Sequence, residues 1–171
     1  IVHDDRTGRL FADALVARAR AGVRVRVLYD WVGAVRATSR AFWHRLREAG
    51  VEVRAFNRPV LWRPLAWLSR DHRKMLAVDG RVAYVSGLCV GDDWVGTAET
   101  PPWRDTGVEI LGPAVADIHA AFAEIWDTTG DPLPPDEQPA RASLPRRGDV
   151  ALRVIGSTPA AAAMLRLDVL V

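Results

Sequence analysis

The sequence predicts a mixed α/β fold in which a largely parallel sheet is flanked by helices. Twice in succession, a segment with helical spacing of apolar residues ends at a glycine and is followed by an alternating, strand-like segment. Two such units favour parallel neighbours, because each helix can supply the crossover that parallel strands require. The 171 residues and 49% hydrophobic content suffice for a substantial core.

The first half of the chain holds these two units. Ser39 is placed to cap the second helix, and glycines are placed to end both helices. Asp30 stands at the carboxyl end of the first strand. The predicted elements are a helix over 7–21 ending at Gly22, a strand over 23–29, a helix over 39–50 and a strand over 51–56.

The second half is predicted to contain a hairpin, a strand and a helix. Asp79-Gly80 joins the apolar runs 75–78 and 81–85, and this dipeptide between such runs indicates a tight turn. A strand is expected over 106–111. Gly112-Pro113 then opens a helix whose core-facing residues are Ala121, Phe122, Ile125 and Trp126.

Five prolines among charged residues mark a change of organisation after residue 129. The expected division is a first domain over 1–129, a Pro-rich linker over 130–149, and the truncated start of a second domain over 150–171. A strand over 150–155 and a helix from Ala160 to Leu165 are the predicted elements of that second domain. Both ends of the chain suggest a piece of a longer protein.

Charge and cysteine content narrow the class of protein. The formal net charge is only +2 and the basic residues are spread along the chain, which argues against a nucleic-acid partner. A single cysteine, Cys89, excludes an intramolecular disulfide framework. The histidines show no ligand spacing with carboxylates that indicates a metal, and no cofactor is predicted.

One short stretch carries the chemistry. Lys74 is the only lysine of the chain, and the other 22 basic residues are arginine. His72 lies two residues before it, so both side chains would share one face of an extended segment. An ammonium can neutralise the oxygens of an anionic phosphorus centre, while an imidazole attacks phosphorus or transfers a proton. The pair therefore predicts a phosphodiester-processing site.

A longer pattern surrounds this pair. His72-x-Lys74, four residues, Asp79, six residues and then Ser86-Gly87-Leu88-Cys89 resemble the HKD motif of the phospholipase D superfamily, H-x-K-x4-D-x6-G-[GS]-x-N. The flanks Arg70-Asp71-His72-Arg73-Lys74, Gly91-Asp92-Asp93 and Trp103-Arg104-Asp105-Thr106 are similar to the bacterial cardiolipin synthase branch. The resemblance covers roughly residues 1–128.

The resemblance implies a two-part active site. Members of this family have two similar α/β halves, and each half gives one HKD motif to a shared site. One histidine forms a phosphohistidine, and the other protonates the leaving alcohol and later activates the acceptor. The single motif here matches the first half, and its implied partner is a second HKD half in the same chain or another subunit.

The resemblance also implies individual roles. His72 becomes the nucleophile, Lys74 the phosphate clamp, and Asp79 the motif acid, with a structural role near the hairpin. Asp105 is expected to orient an active-site imidazole. Ser86, Gly87 and Cys89 are the expected substrate-binding residues.

Three positions depart from the family pattern. Ser86 replaces a glycine, and Cys89 replaces an asparagine that donates a hydrogen bond to phosphate. Gly107 stands where the branch usually has histidine. A thiol is a weak donor, so the Cys89 replacement costs about 1–3 kcal/mol if that bond contributes to catalysis.

The segment upstream of the motif is rich in tryptophan and arginine. Trp62 and Trp67 would lie at the depth of a lipid interface, with Arg58, Arg63 and Arg70 meeting anionic headgroups. An equal alternative is that the tryptophans pack over the core. The first reading predicts a peripheral, membrane-associated bacterial-type protein.

The leading functional hypothesis is phosphatidyl transfer of the cardiolipin synthase type, with an anionic phospholipid such as phosphatidylglycerol as substrate. The alternatives are a phospholipase D or nuclease of the same superfamily, and a catalytically impaired membrane-binding domain. This chain alone is expected to be inactive, because the mechanism needs two histidines and two lysines.

Overall fold

The computed structural model describes residues 1–61 and 69–156, which divide into two units. Unit 1 contains Ile1–His72 and Leu88–Thr106, and unit 2 contains Arg73–Gly87 and the chain from Gly107 onward. Both units combine helices with strands, so the mixed α/β class is confirmed.

Unit 1 is built on a parallel strand pair. Its described elements are α1 (Arg6–Arg20), β1 (Arg26–Asp30), α2 (Trp31–Ala34), α3 (Arg40–Glu48), β2 (Glu52–Phe56) and α4 (Asp92–Val95). β1 and β2 pair with Arg26 opposite Glu52 and Asp30 opposite Phe56, which confirms the parallel arrangement predicted for the two helix–glycine–strand segments.

Local signals in the sequence set the helix ends of unit 1. The Ser39 hydroxyl accepts a hydrogen bond from the Phe42 amide at 3.1 Å, so it caps α3 as predicted. Gly22 and Gly50 follow α1 and α3 with φ of 86° and 89°, a backbone region in which a side chain would be strained. The buried side of α3 carries Trp43, which stacks on Tyr29 of β1 with ring centroids 4.0 Å apart.

The start of α1 is tied to the segment around Asp92. The Asp92 carboxylate accepts hydrogen bonds from the Thr7 amide at 2.9 Å and the Thr7 hydroxyl at 2.6 Å. In return, Asp5 accepts from the Asp92 amide at 2.8 Å and from the Gly8 amide at 2.8 Å. The Gly91-Asp92-Asp93 run therefore acts structurally in unit 1, because it satisfies donors at a helix N-terminus.

The described part of unit 2 contains an antiparallel sheet and one long helix, followed by two short 3-10 helices at Pro135–Glu137 and Arg141–Ser143. The strands are β3 (Lys74–Val78), β4 (Val82–Ser86) and β5 (Gly107–Leu111), and the helix is α5 (Ala114–Asp127). Asp79 and Gly80 join β3 to β4 with φ of 52° and 63°. Two successive positive φ values are typical of the tight hairpin turn that the sequence predicted.

Helix α5 covers one face of this sheet. Ala83 and Ile110 point toward it and form a buried cluster with Ala114, Val115 and Ile118. Ala121, Ile125 and Trp126 are buried as predicted, and Phe122 stacks on Trp126 at 5.4 Å. The opposite face, which we call the outward face, carries the alternate residues of the three strands.

The predicted predominance of parallel strands is wrong. Among the described residues, β1–β2 is the only parallel pair of strands, whereas β3–β4 and β4–β5 are both antiparallel. For β3 and β4 the physical reason is the short connection over residues 79–81. A tight turn brings the next strand back antiparallel, whereas parallel neighbours need a long crossover.

The described residues after α5 pack in part against unit 2. Leu133 is buried, and its amide donates to Asp127 at 3.3 Å. Arg141 forms an ion pair with Asp117 of α5. The predicted strand over 150–155 is absent, because none of the described strands pairs with it and an extended segment becomes a strand only through such pairing. The helix predicted from Ala160 to Leu165 lies outside the described residues. The domain boundaries stay predictions.

Candidate active site

Lys74 begins β3 and lies in a row of three residues that runs across the sheet of unit 2. Its partner in β4 is Ser86, and the partner of Ser86 in β5 is Gly107. Directly opposite residues in an antiparallel pair have side chains about 5 Å apart on one face. The row therefore places the Ser86 hydroxyl next to the half-buried Lys74 side chain, and Gly107, which has no side chain, on the far side of Ser86.

The row lies on the outward face, away from α5. Lys74 is the only basic residue and Glu109 the only acidic residue among the described strand residues on that face. Leu76, Tyr84 and Leu111 on the same face are exposed. The ammonium is therefore set at one end of an otherwise largely apolar surface, where no other strand residue supplies positive charge.

Tyr84 and Glu109 lie opposite each other on the outward face. A hydrogen bond to Glu109 is the main reason that the pKa of Tyr84 is raised, with smaller contributions from burial and from the carboxylate charge. The phenol therefore stays protonated and acts as a donor to Glu109. The Glu109 carboxylate, the acidic group of this face, is therefore hydrogen-bonded to Tyr84.

Arg73, the residue between the two motif residues, is tied to α5. Its Nη1 donates to the Ala121 carbonyl oxygen at 2.9 Å. Neighbouring residues on an extended segment point to opposite sides, so this bond favours the outward direction for Lys74. Ser86, directly opposite Lys74 in β4, lies on the same face.

His72 is an exposed residue directly before β3 and the last residue of the first segment of unit 1. Two side chains of unit 1 hold the residues just ahead of it. The Asn57 amide donates from Nδ2 to the Ser69 carbonyl oxygen at 2.9 Å. The Arg70 guanidinium donates to Asp30 Oδ2 from Nε at 2.7 Å, with Nη2 at 2.6 Å from the same oxygen.

Asp30 is the only buried residue with an ionisable side chain in the part of the chain that the structure describes. Its Oδ2 also accepts from the Gly33 amide at 2.9 Å, which caps the short helix α2. The prediction that Arg70 meets anionic headgroups is therefore wrong, because its guanidinium is bound to this carboxylate. The predicted position of Asp30 at the end of β1 is confirmed.

The remaining motif residues lie at other places. Asp79 occupies the hairpin turn, at the opposite end of β3 from Lys74 and about 16 Å along the strand. Gly87 is exposed directly after β4. Cys89 is a half-buried free thiol in unit 1, just before the bridge between Val90 and Val2. The Asp105 carboxylate is exposed and accepts from the Thr106 amide at 2.7 Å.

The expected lipid-facing residues Trp62, Arg63 and Trp67 lie outside the described residues, so their roles stay predictions. Within residues 1–61 and 69–156, no helix has the length and apolarity to cross a membrane. The same ranges contain no group of three or more histidine, cysteine or acidic side chains arranged to bind a metal ion.

Sequence reasoning did not predict that Asp30 and Asn57 hold the segment just before His72. The available signals were their positions, since each directly ends or follows a strand of the parallel pair. In α/β folds, functional groups often lie at the carboxyl ends of parallel strands. The sequence does not show which residues these side chains contact. Asp30 pairs with Arg70, 40 positions along the chain, and Asn57 bonds to Ser69, 12 positions along.

Comparisons with known proteins agree with the motif. The model of a family described as cardiolipin synthase, PLD-like domain, matches residues 3–92. Cardiolipin synthase A of Pseudomonas syringae pv. syringae is 39% identical over 137 residues, which cover 79% of this chain and 28% of that protein. Cardiolipin synthase A of Pseudomonas fluorescens and of Pseudomonas putida have the same identity and coverage. The chain thus spans 28% of the length of these curated relatives.

Proposed function

Because this chain belongs to the cardiolipin synthase family of phospholipase D-like domains, we propose that it supplies half of an active site that transfers phosphatidyl groups between phospholipids. The observation that carries the proposal is the complete His-x-Lys-x4-Asp spacing inside the region that the family matches. The register of Lys74 with the small residues Ser86 and Gly107 supports it, because small neighbours leave room for a phosphate beside the ammonium.

In the first step, an imidazole nitrogen of His72 attacks the phosphorus of a phosphatidylglycerol. A P–N bond forms, the P–O bond to the glycerol headgroup breaks, and the histidine of the second half gives its proton to the departing glycerol oxygen. Lys74 neutralises the phosphate oxygens, on which negative charge is concentrated in the transition state. The exposure of His72 is consistent with access of a bulky lipid.

In the second step, the hydroxyl of another phosphatidylglycerol attacks the phosphohistidine. The histidine of the second half now accepts the hydroxyl proton, the P–N bond breaks and the phosphatidyl group is transferred. The products are a diphosphatidyl lipid and free glycerol. Asp105 is proposed to orient an imidazole of the site, and Cys89 to lie where a further phosphate contact is expected.

The proposal requires a second HKD half, either from the rest of the full-length protein or from a second subunit. The outward face of the unit 2 sheet supports this requirement. It carries Lys74 at one end, and its exposed apolar residues Leu76, Tyr84 and Leu111 offer surface that a second half can bury. A membrane-associated location follows from the proposed lipid substrate, with Trp62, Arg63 and Trp67 as the proposed lipid contacts.

Trapping the covalent intermediate tests the proposal. The full-length protein is mixed with vesicles of phosphatidylglycerol that carries labelled phosphorus, quenched in alkali, and examined for acid-labile label on the protein. We expect label on wild type and none on His72→Ala. The matched control is His44→Ala, since His44 is also exposed but lies on α3 and is paired with Glu48. Failure to trap an adduct with any lipid or nucleic-acid diester would overturn the proposal.

The need for a second half is tested with the isolated 171-residue chain. We expect no turnover from a monomer, because one histidine cannot both hold the phosphoryl group and protonate the leaving group. Turnover that appears only when the chain dimerises identifies a second copy as the partner. Turnover by a monomer contradicts the two-half mechanism.

One observation favours a second candidate, a domain that binds phosphate without turnover. Two of the three departures from the family pattern, Ser86 and Gly107, are in register with Lys74, so the surroundings of the ammonium differ from the family pattern. Binding of phosphatidylglycerol vesicles that depends on Lys74, with no adduct and no product, would select this candidate. Product formation rejects it.

A further inference from the structure

We propose that Asp30 and Asn57 are positioning residues for His72. Through Arg70 and Ser69, they fix the segment that leads into the nucleophile against the carboxyl ends of β1 and β2. The inference rests on the proposed function of His72 and concerns contacts within unit 1, to which all these residues belong. It assigns a catalytic consequence to two residues outside the HKD motif.

The first anchor is the pair between Asp30 and Arg70. Asp30 Oδ2 receives three donors, the Gly33 amide at 2.9 Å and the Arg70 Nε and Nη2 atoms at 2.7 and 2.6 Å. The Asp30 side chain is only 5% exposed and that of Arg70 is 31% exposed. A short charge-assisted contact at a buried carboxylate holds its partner more firmly than an exposed ion pair does.

The second anchor is independent of the first. Asn57 follows β2 with φ of 50°, a left-handed conformation that asparagine tolerates better than most residues. From this position its Nδ2 reaches the Ser69 carbonyl oxygen at 2.9 Å. The bond fixes the main chain at residue 69, whereas the ion pair fixes the side chain of residue 70. Neighbouring residues are thus held by the ends of neighbouring parallel strands.

The short chain distance makes these anchors relevant to catalysis. His72 is two residues beyond Arg70, so it stays within about 7 Å of that Cα atom along the chain. A nucleophile must meet phosphorus at a defined distance and angle, and a displacement of about 1 Å can cost about 100-fold in rate.

The environment of Asp30 argues for a positional role over simple stabilisation. Its Oδ1 is buried and has no hydrogen-bond partner among the described residues, which is a costly arrangement. The helix that it caps has only four residues. Buried ion pairs are often no more stabilising than apolar residues of the same size, but they do fix geometry. The pair between Asp30 and Arg70 fits this second role.

The test uses the full-length protein and vesicles of phosphatidylglycerol. Arg70→Gln removes the ion pair, and Asn57→Gly removes the second anchor while keeping the left-handed backbone easy to adopt. We expect each variant to lower kcat by about 10- to 100-fold, with KM within threefold and with phosphohistidine formation slowed by the same factor as kcat. The matched control is Arg26→Gln, which breaks an Arg–Glu52 pair at the opposite end of the same two strands. It should leave kcat unchanged.

Three outcomes overturn the inference. The first is a kcat for both anchor variants within twofold of wild type. The second is a loss of activity that parallels a loss of folded protein, so that kcat per folded molecule is unchanged. The third concerns rescue: Arg70→Lys, which keeps the charge opposite Asp30, must recover more of kcat than Arg70→Gln, and equal kcat values exclude the pairing as the cause.

A double variant tests whether Asp30 and Arg70 act as one anchor. Asp30→Asn and Arg70→Gln combined should cost no more than the worse of the two alone, since each removes the same anchor; additive losses contradict a shared role. The proposed function fails separately, when wild type forms no phosphohistidine. If wild type and His72→Ala behave as proposed while the anchor variants remain fully active, only the positioning inference is lost.

Discussion

Replacing Lys74 by methionine removes the positive charge from the outward face of the unit 2 sheet. Methionine keeps a flexible side chain of similar length, so packing beside Ser86 and Gly107 is retained. No other described strand residue on that face is basic, so no neighbour on the face can take over the neutralisation of a phosphate oxygen. Loss of a single donor to a developing oxyanion costs about 3–4 kcal/mol, which corresponds to about 100- to 1000-fold in kcat.

The assay follows transfer of phosphatidyl groups in phosphatidylglycerol vesicles by the full-length protein. Arg81→Met is the matched control, because it removes the same charge at the hairpin end of the same sheet, about 16 Å from Lys74. Lys74→Arg separates charge from shape. We expect it to recover less than about one tenth of wild-type kcat, since a planar guanidinium cannot occupy the position of a compact ammonium.

The reasoning is refuted if Lys74→Met keeps kcat within threefold of wild type while His72→Ala abolishes transfer. It is also refuted if Arg81→Met loses as much activity as Lys74→Met, since the effect would then reflect general attraction to an anionic surface. Equal thermal unfolding midpoints of the three variants exclude misfolding as the explanation.

Two further predictions concern Cys89 and Asp92. Cys89→Asn restores a good amide donor where the family pattern has one, and should raise kcat/KM by about 5- to 150-fold, from about 1–3 kcal/mol of hydrogen bonding; an unchanged value places Cys89 away from the phosphate. The pKa of Asp92 is lowered chiefly by the hydrogen bond from the Thr7 hydroxyl, and further by that from the Thr7 amide. A lowered folded pKa means that its stabilisation is present above the ordinary carboxyl pKa and is lost as pH falls through the folded value, below about pH 4. Between pH 5 and pH 2 the thermal unfolding midpoint should therefore fall less for Asp92→Asn than for wild type. Asp93→Asn, which alters an exposed neighbour, should follow wild type. Identical pH profiles for all three proteins contradict the assignment.

Short-range chemistry in the sequence determined much of unit 2. Asp79-Gly80 predicted the hairpin because few residue pairs adopt two positive φ values. Once the turn is set at this place, the register of β3 with β4 follows, and so does the pairing of Lys74 with Ser86. The single lysine and the motif spacing are enough to indicate Lys74 as the candidate phosphate-binding cation.

The sequence predicted strand direction where a helix separates two successive strands. Alternating helices and strands implied the parallel pair β1–β2, which the structure confirms. The same reasoning overestimated the parallel content, because it extended the pattern of the first half to the second, where a tight turn joins β3 to β4 and β5 also pairs antiparallel with β4. The strand expected over 150–155 was wrong for a related reason, since alternation of apolar residues does not provide a partner strand.

The sequence by itself determined which residues carry the proposed chemistry, because the spacing of a histidine, a lysine and an aspartate is a property of the chain. Only the tertiary structure decided what surrounds and holds them. It assigned Arg70 to the buried Asp30 rather than to a lipid headgroup, and it aligned Gly107 with Lys74 across three strands. Such contacts join residues far apart in sequence, and they form because a buried carboxylate must be paired and a sheet must satisfy its backbone hydrogen bonds.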